Sequence, residues 1–254
     1  WLGMPGVVSG VVVDTAFFTG NYPPFASVEG CAAVGYPEPA ELTGWETLVP
    51  KSPLAGDTRN PFPVNNSRRF THVRLTIYPD GGVARLRVHG SPVPDPQLVD
   101  FGRIDLAALE NGATVTDCSN RFYSSPNNLI APGPAAVMGE GWETARRRDP
   151  GNDWVSLQLA AEGMVRLVEL DTSHFKGNAP GWASVTCGGV MLLDRERLQP
   201  DTRHQFLVST GVPATDARLD VYPDGGMARL RLWGTLTDRG RRQLADRWTA
   251  GLRG

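Results

Sequence analysis

An internal duplication constrains this chain more than any other feature. VVVDTAFFTGNYPPFASVEG at 11–30 returns as VELDTSHFKGNAPGWASVTC at 168–187, an offset of 157 residues, so that Asp14, Thr15, Phe18, Gly20 and Asn21 meet Asp171, Thr172, Phe175, Gly177 and Asn178. A second pair, VRLTIYPDGGVARLRVHG at 73–90 and ARLDVYPDGGMARLRLWG at 217–234, matches at an offset of 144. The difference falls after Gly35, in the Pro-rich GYPEPAELTGWETLVPKSP, which reads as a surface loop. Trp1 aligns with Gln158, and the segment from Val115 to Leu157 has no partner in the first copy. The expectation is therefore two homologous domains: residues 1–112, incomplete at the N-terminus, and residues 113–254.

Each copy reads as short strands. Val73, Leu75 and Ile77 alternate with Arg74, Thr76 and Tyr78, and Ala84, Leu86 and Val88 alternate with Arg85 and Arg87 across PDGG. That pattern predicts an antiparallel hairpin with an aliphatic face inward and the arginines on the other face. With 29 glycines and 21 prolines among 254 residues, turns are frequent enough to favour many short strands, and the fold class is all-β, a duplicated β-sandwich. Two helices are expected as exceptions: Asp105 capping Leu106 to Glu110 before Gly112, and a stripe of Leu244, Trp248 and Leu252.

Charge narrows the function classes. Lys and Arg number 25 against 27 Asp and Glu, a net charge of −2 that points to neither nucleic acid nor an anionic membrane. No apolar run is long enough to span a bilayer. Cys31, Cys118 and Cys187 form no CxxC pair and leave one over, which argues against a disulfide framework or structural zinc and for a reducing, cytoplasmic home. Asn65, Asn66 and Ser67 match a glycosylation sequon, without a signal peptide to support it.

Chemistry is sought where the copies differ. The DTxxFxGN block carries Phe17 and Thr19 in the first copy but His174 and Lys176 in the second, so a proton-transfer residue and a cation enter only there. On an extended segment the two would point the same way. The bland alternative is that Asp14 and Asp171 cap the loop and His174 is an ordinary polar residue. GEGWETARRR sets Glu143 beside Arg146, Arg147 and Arg148, either a solvated turn or an anion clamp. Asp57-x-Arg59 recurs as Asp201-x-Arg203, which reads first as a local ion pair, with His204 beside it. No two histidines sit close enough in sequence to suggest a metal centre, so metal participation is left open. No P-loop, GxSxG or dinucleotide fingerprint is present.

Together VVVDTAFFTGNYPPFASVEGCA, THVRLTIYPDGGVARLRVHG, DLAALENGA, GEGWETARRR and DTSHFKGNAPGWASV resemble the allantoicase family over nearly the whole chain. The resemblance implies tandem jelly-roll domains similar to galactose-binding modules, hydrolysis of allantoate to ureidoglycolate and urea in purine degradation, no cofactor, and a homo-oligomer. On that substrate, His174 and Glu143 are the candidate catalytic residues. Lys176 or Arg146, Arg147 and Arg148 would take the carboxylate, Glu143 and Asn178 would orient the ureido groups, and Asp171 is a further substrate-binding candidate. The rival reading is a non-catalytic carbohydrate- or small-ligand-binding jelly roll, which would use exposed aromatics such as Tyr22, Tyr36 and Trp182.

Overall fold

The structure is a computed structural model and describes residues 1–209 and 211–253. By spatial proximity the chain divides into two units, Trp1–Asp95 with Asp246–Gly254, and Pro96–Ala245.

The first unit is built from β1 (Gly6–Asp14), β2 (Phe25–Cys31), β3 (Glu46–Pro53), β4 (Arg59–Pro63), β5 (Arg69–Phe70), β6 (His72–Tyr78) and β7 (Arg85–Pro92). β1 is the hub of one sheet, paired antiparallel with β4, β5 and β7, while β2 is flanked by β3 and β6 in the other. Val8, Val11 and Val13 from β1, Ala26 and Val28 from β2 and Leu48 and Val49 from β3 form one buried cluster. The alternation along each strand thus fills a sandwich core, as two-residue periodicity requires.

In the second unit a short helix, α1 (Pro96–Val99), leads into β8 (Ile104–Asp105), β9 (Thr114–Cys118), β10 (Trp142–Glu143), β11 (Asp153–Asp171), β12 (Trp182–Cys187), β13 (Val190–Arg197), β14 (Arg203–Leu207), β15 (Pro213–Tyr222), β16 (Gly226–Met227) and β17 (Arg229–Leu236), then the first half of α2 (Asp238–Arg253), whose residues from Asp246 on belong to the first unit. β11 is 19 residues long and serves both layers. Its first part pairs with β15 and β9, and after a shift of register near Gly163 it pairs with β17 and β14. No helix among the described residues is long and apolar enough to cross a membrane.

Three expectations are corrected. The PDGG segments do not close hairpins: β6 pairs with β2 and β7 with β1, and likewise β15 pairs with β11 and β12 while β17 pairs with β11 and β8. Each PDGG is an arch from one sheet to the other, so both flanking strands can send their aliphatic faces into the same core. Leu106 to Glu110 is not an α-helix. The Leu106 N–H donates to Leu232 O and its carbonyl accepts from Ala160, leaving only a single 3-10 turn at Leu109–Asn111, closed by Gly112 in the left-handed region. Finally, the units divide at Asp95/Pro96 and not at 112/113, because Ile104, Leu106, Ala107 and Ala113 are buried in the second core. The helix carrying Leu244 and Trp248 is present as α2, with Leu244 buried and Leu252 exposed.

Candidate functional site

Asp171 at the end of β11, Arg203 at the start of β14 and Arg229 at the start of β17 are brought level by strand register, since Asp171 lies opposite both arginines. Two residues along, Glu169 faces Arg231 and Gln205. Period-two geometry therefore puts all of these side chains on one face of the sheet. With Arg103, Asp105, Glu110, Asn111 and Trp233 they line a basin of about 460 Å³.

The basin sets four guanidiniums against four carboxylates. Some of these groups are fully engaged. Arg229 donates to the carbonyls of Gly133, Asn128, Glu140 and Ala228, and Glu169 takes Arg203 Nε at 3.0 Å and Gln205 Nε2 at 2.9 Å. Others are not. Arg231 spends Nη2 on Ala131 and Gly133 carbonyls and sets Nε 3.5 Å from Asp105, yet its buried Nη1 has no partner. Glu110 Oε2 is likewise buried without a hydrogen bond. Asp171 accepts from the Ser173 N–H, and no ion pair engages it among the described residues. An unused donor and an unused acceptor in one basin are unfavourable unless something polar meets them.

Asp105 is the titratable group most altered by this setting. Burial pushes its carboxyl up from 3.8 to about 6, opposed by hydrogen bonds from the Leu232 and Ala107 N–H groups and by the nearby Arg231 charge.

The sequence candidates are distributed differently. Only Asp171 lines the basin. His174 lies in the left-handed region at φ 72°, its N–H held by Asp201 Oδ1, and its Nε2 is 2.9 Å from Ala135 O. The extended backbone assumed for His174 and Lys176 is absent: Phe175 N–H returns to Thr172 O in a turn. Lys176 is 80% exposed and among the described residues reaches only Asp201, at 3.8 Å. Glu143 accepts from Asn178 Nδ2 at 2.6 Å, so those two candidates do meet, but away from the basin lining. Arg147 is tied to Asp149 and to buried Asp153, while Arg146 and Arg148 are exposed; the anion clamp of three arginines does not form. Asp201 and Arg203 do not pair with each other, because Asp201 caps His174 and Arg203 turns to Glu169. His204 is structural, with both ring nitrogens engaged by backbone at Leu170 and Gln199.

His174 still touches the basin indirectly. Ala135 follows Gly133 and Pro134, two of the lining residues, and Gly133 O accepts from both Arg229 and Arg231. The 131–135 segment is thus held by two arginines and by the imidazole. The aromatics of the binding-module reading do not converge: Tyr22 packs on the first core, Tyr36 stacks on Trp1, and Trp182 belongs to β12. Among the described residues no group of three or more His, Cys, Asp or Glu is placed to hold a metal ion.

Sequence reading missed Arg229, Arg231, Asp105 and Glu110. The available signal is the duplicated ARLR, whose arginines fall on the face opposite the aliphatic one.

Comparison with known proteins shows what the chain as a whole is similar to. The profile of the allantoicase repeat matches residues 1–93 and 104–237. A probable allantoicase of Nocardia farcinica is 57% identical over 244 residues, covering 92% of this chain and 74% of that one. The allantoicase of Dictyostelium discoideum is 44% identical, covering 93% of this chain and 70% of that one. Among solved structures, an allantoicase from Saccharomyces cerevisiae is similar with a TM-score of 0.82 at 34% identity, over 91% of this chain and 74% of that one.

Proposed function

The chain belongs to the allantoicase family, its reaction is the hydrolysis of allantoate to ureidoglycolate and urea, and from that premise we propose that the basin of the second unit is where the reaction occurs. The observation that carries this reading is the coexistence of an unused donor, Arg231 Nη1, and an unused acceptor, Glu110 Oε2, in one charge-balanced basin.

Allantoate has a carboxylate and two ureido groups on one carbon, so it offers both what a guanidinium binds and what a carboxylate binds. Arg203 and Arg231 take the carboxylate, and Glu110 and Asp171 take ureido N–H groups. Hydrolysis breaks one C–N bond of the central carbon and forms a C–O bond from water; the water's proton leaves and the departing urea nitrogen gains one. Asp105, which titrates at about 6, can carry a proton in either direction near neutral pH. His174 holds the rim in place through Ala135 rather than entering the chemistry. Glu143 and Asn178 brace each other beside it.

The same reading keeps the protein in the cytoplasm, which its free cysteines support. Assembly as a homo-oligomer rests on the family resemblance.

Urea release tests the site. Glu110→Gln removes a charged acceptor and is expected to lower kcat/KM for allantoate about tenfold. His174→Asn, which tolerates the left-handed backbone, is expected to stay within a few-fold of the parent. The reverse ordering would return the chemistry to His174.

A further inference from the structure

The duplication builds a second basin, in the first unit, with different chemistry. Asp14, Arg59, Arg85 and Arg87 occupy the register positions of Asp171, Arg203, Arg229 and Arg231: Asp14 lies opposite Arg59 and Arg85, and Val12 opposite Arg87. They line a cavity of about 540 Å³ together with Phe17 and Asp57.

What differs is the acceptor supply. Val12 stands where the other unit has Glu169, and Pro61 where it has Gln205. Both oxygens of Asp14 are engaged: one takes the Ala16 N–H, the other Arg87 Nη1 at 2.7 Å, with Arg59 at 3.9 Å. Asp57 takes the Phe17 N–H on Oδ1. Three guanidiniums therefore meet two carboxylates, of which Asp14 has both oxygens engaged and Asp57 one. Arg85 is exposed and without an ion pair or hydrogen bond among the described residues, and the Arg59 side chain is 77% exposed. The contrast with Arg229, which spends its donors on four carbonyls, is complete.

The rim is also unusual. Phe17 is 91% exposed, and its backbone lies at φ 71°, in the left-handed region that bulky residues rarely occupy. The Asp57 hydrogen bond fixes that conformation, and the apolar ring lines the same cavity as the exposed guanidiniums of Arg59 and Arg85.

We propose that the first unit's basin binds a small organic carboxylate, with Arg59 and Arg85 on the carboxylate and the carbon skeleton against the Phe17 ring. A guanidinium fork matches a carboxylate in plane and charge. The shortage of free acceptors disfavours a ligand rich in N–H groups, so this site selects a different class from the ureido-binding basin. It does not depend on the assignment of the reaction to the second unit.

Benzoate is a suitable probe, since it is anionic, flat and has no N–H group; benzamide is its neutral control. Titrated calorimetrically into the full chain at fixed ionic strength, benzoate is expected to bind saturably and benzamide not. Arg59→Ala and Arg85→Ala should each weaken benzoate about tenfold. Phe17→Ser should also weaken it, and Arg203→Ala should leave it unchanged. Both arginines are exposed, and unchanged thermal unfolding would show that the variants fold. Absence of saturable binding, equal affinity in the Arg59 and Arg85 variants, or sensitivity to Arg203→Ala instead would each overturn the proposal.

Discussion

Arg203→Ala is expected to lower kcat/KM for allantoate about a hundredfold, the value of a charge-assisted bidentate contact at the upper end of its range. Arg203 is the basin cation best able to follow a ligand: its side chain is 58% exposed and its only ion pair among the described residues is with Glu169. Arg229 and Arg231 are almost wholly buried and mostly committed to carbonyls. Because the carboxylate is borne by the carbon whose C–N bond breaks, its contact both binds the substrate and orients the reacting centre, so the loss should be shared between KM and kcat. Folding should hardly respond, since Glu169 keeps Gln205 and a half-exposed ion pair contributes about 1 kcal/mol or less. Steady-state urea release and chemical denaturation together check both parts. A kcat/KM within twofold of the parent would place the carboxylate elsewhere.

Asp105→Asn should change the pH dependence of stability by about 3 kcal/mol, the equivalent of moving a carboxyl from 3.8 to about 6. Its raised value means that between those pH limits the folded protein holds more protons than the unfolded chain. Stability from this group is therefore fully present below about pH 4, falls as pH rises toward 6, and is flat above. Asparagine keeps the oxygen that accepts from Ala107 and Leu232 but cannot ionise. The variant should gain on the parent by that amount between pH 4 and pH 7, whatever constant offset the new amide introduces beside Arg231. Urea unfolding at the two pH values measures it, and parallel curves for the two proteins would refute the assignment.

What the sequence reveals of this molecule follows from what periodicity encodes. Repetition of DTxxFxGN and YPDGG identifies two related sandwiches, and the alternation of Val73, Leu75, Ile77, Leu86 and Val88 marks the face that packs against the first core. Period two does not say which sheet a strand joins, so the segments around PDGG look like hairpins although each spans two layers. Arg229 and Arg231 are visible as a polar face, but their partners Asp105, Ala131 and Gly133 come from about a hundred residues upstream, a distance no local pattern bridges. His174 attracts attention because it differs from Phe17. Both residues adopt the same left-handed conformation, however, and both are capped by an equivalent aspartate, so the shared feature is the turn and not the imidazole. Arg147 shows the opposite error: a run of three arginines suggests solvation, yet the middle one is drawn inward by buried Asp153.

The most direct test of the central claim is to locate a bound substrate analogue. N-Carbamoylglycine has the carboxylate and one ureido arm of allantoate on a carbon that bears no second nitrogen to assist departure of urea, so it should resist hydrolysis. In a crystal structure of its complex with the protein, the carboxylate should lie within hydrogen-bond distance of Arg203 and Arg231, and the ureido N–H groups should meet Glu110 and Asp171. An analogue seated instead on Glu143, Asn178 and His174, with the second unit's basin unchanged, would contradict the account.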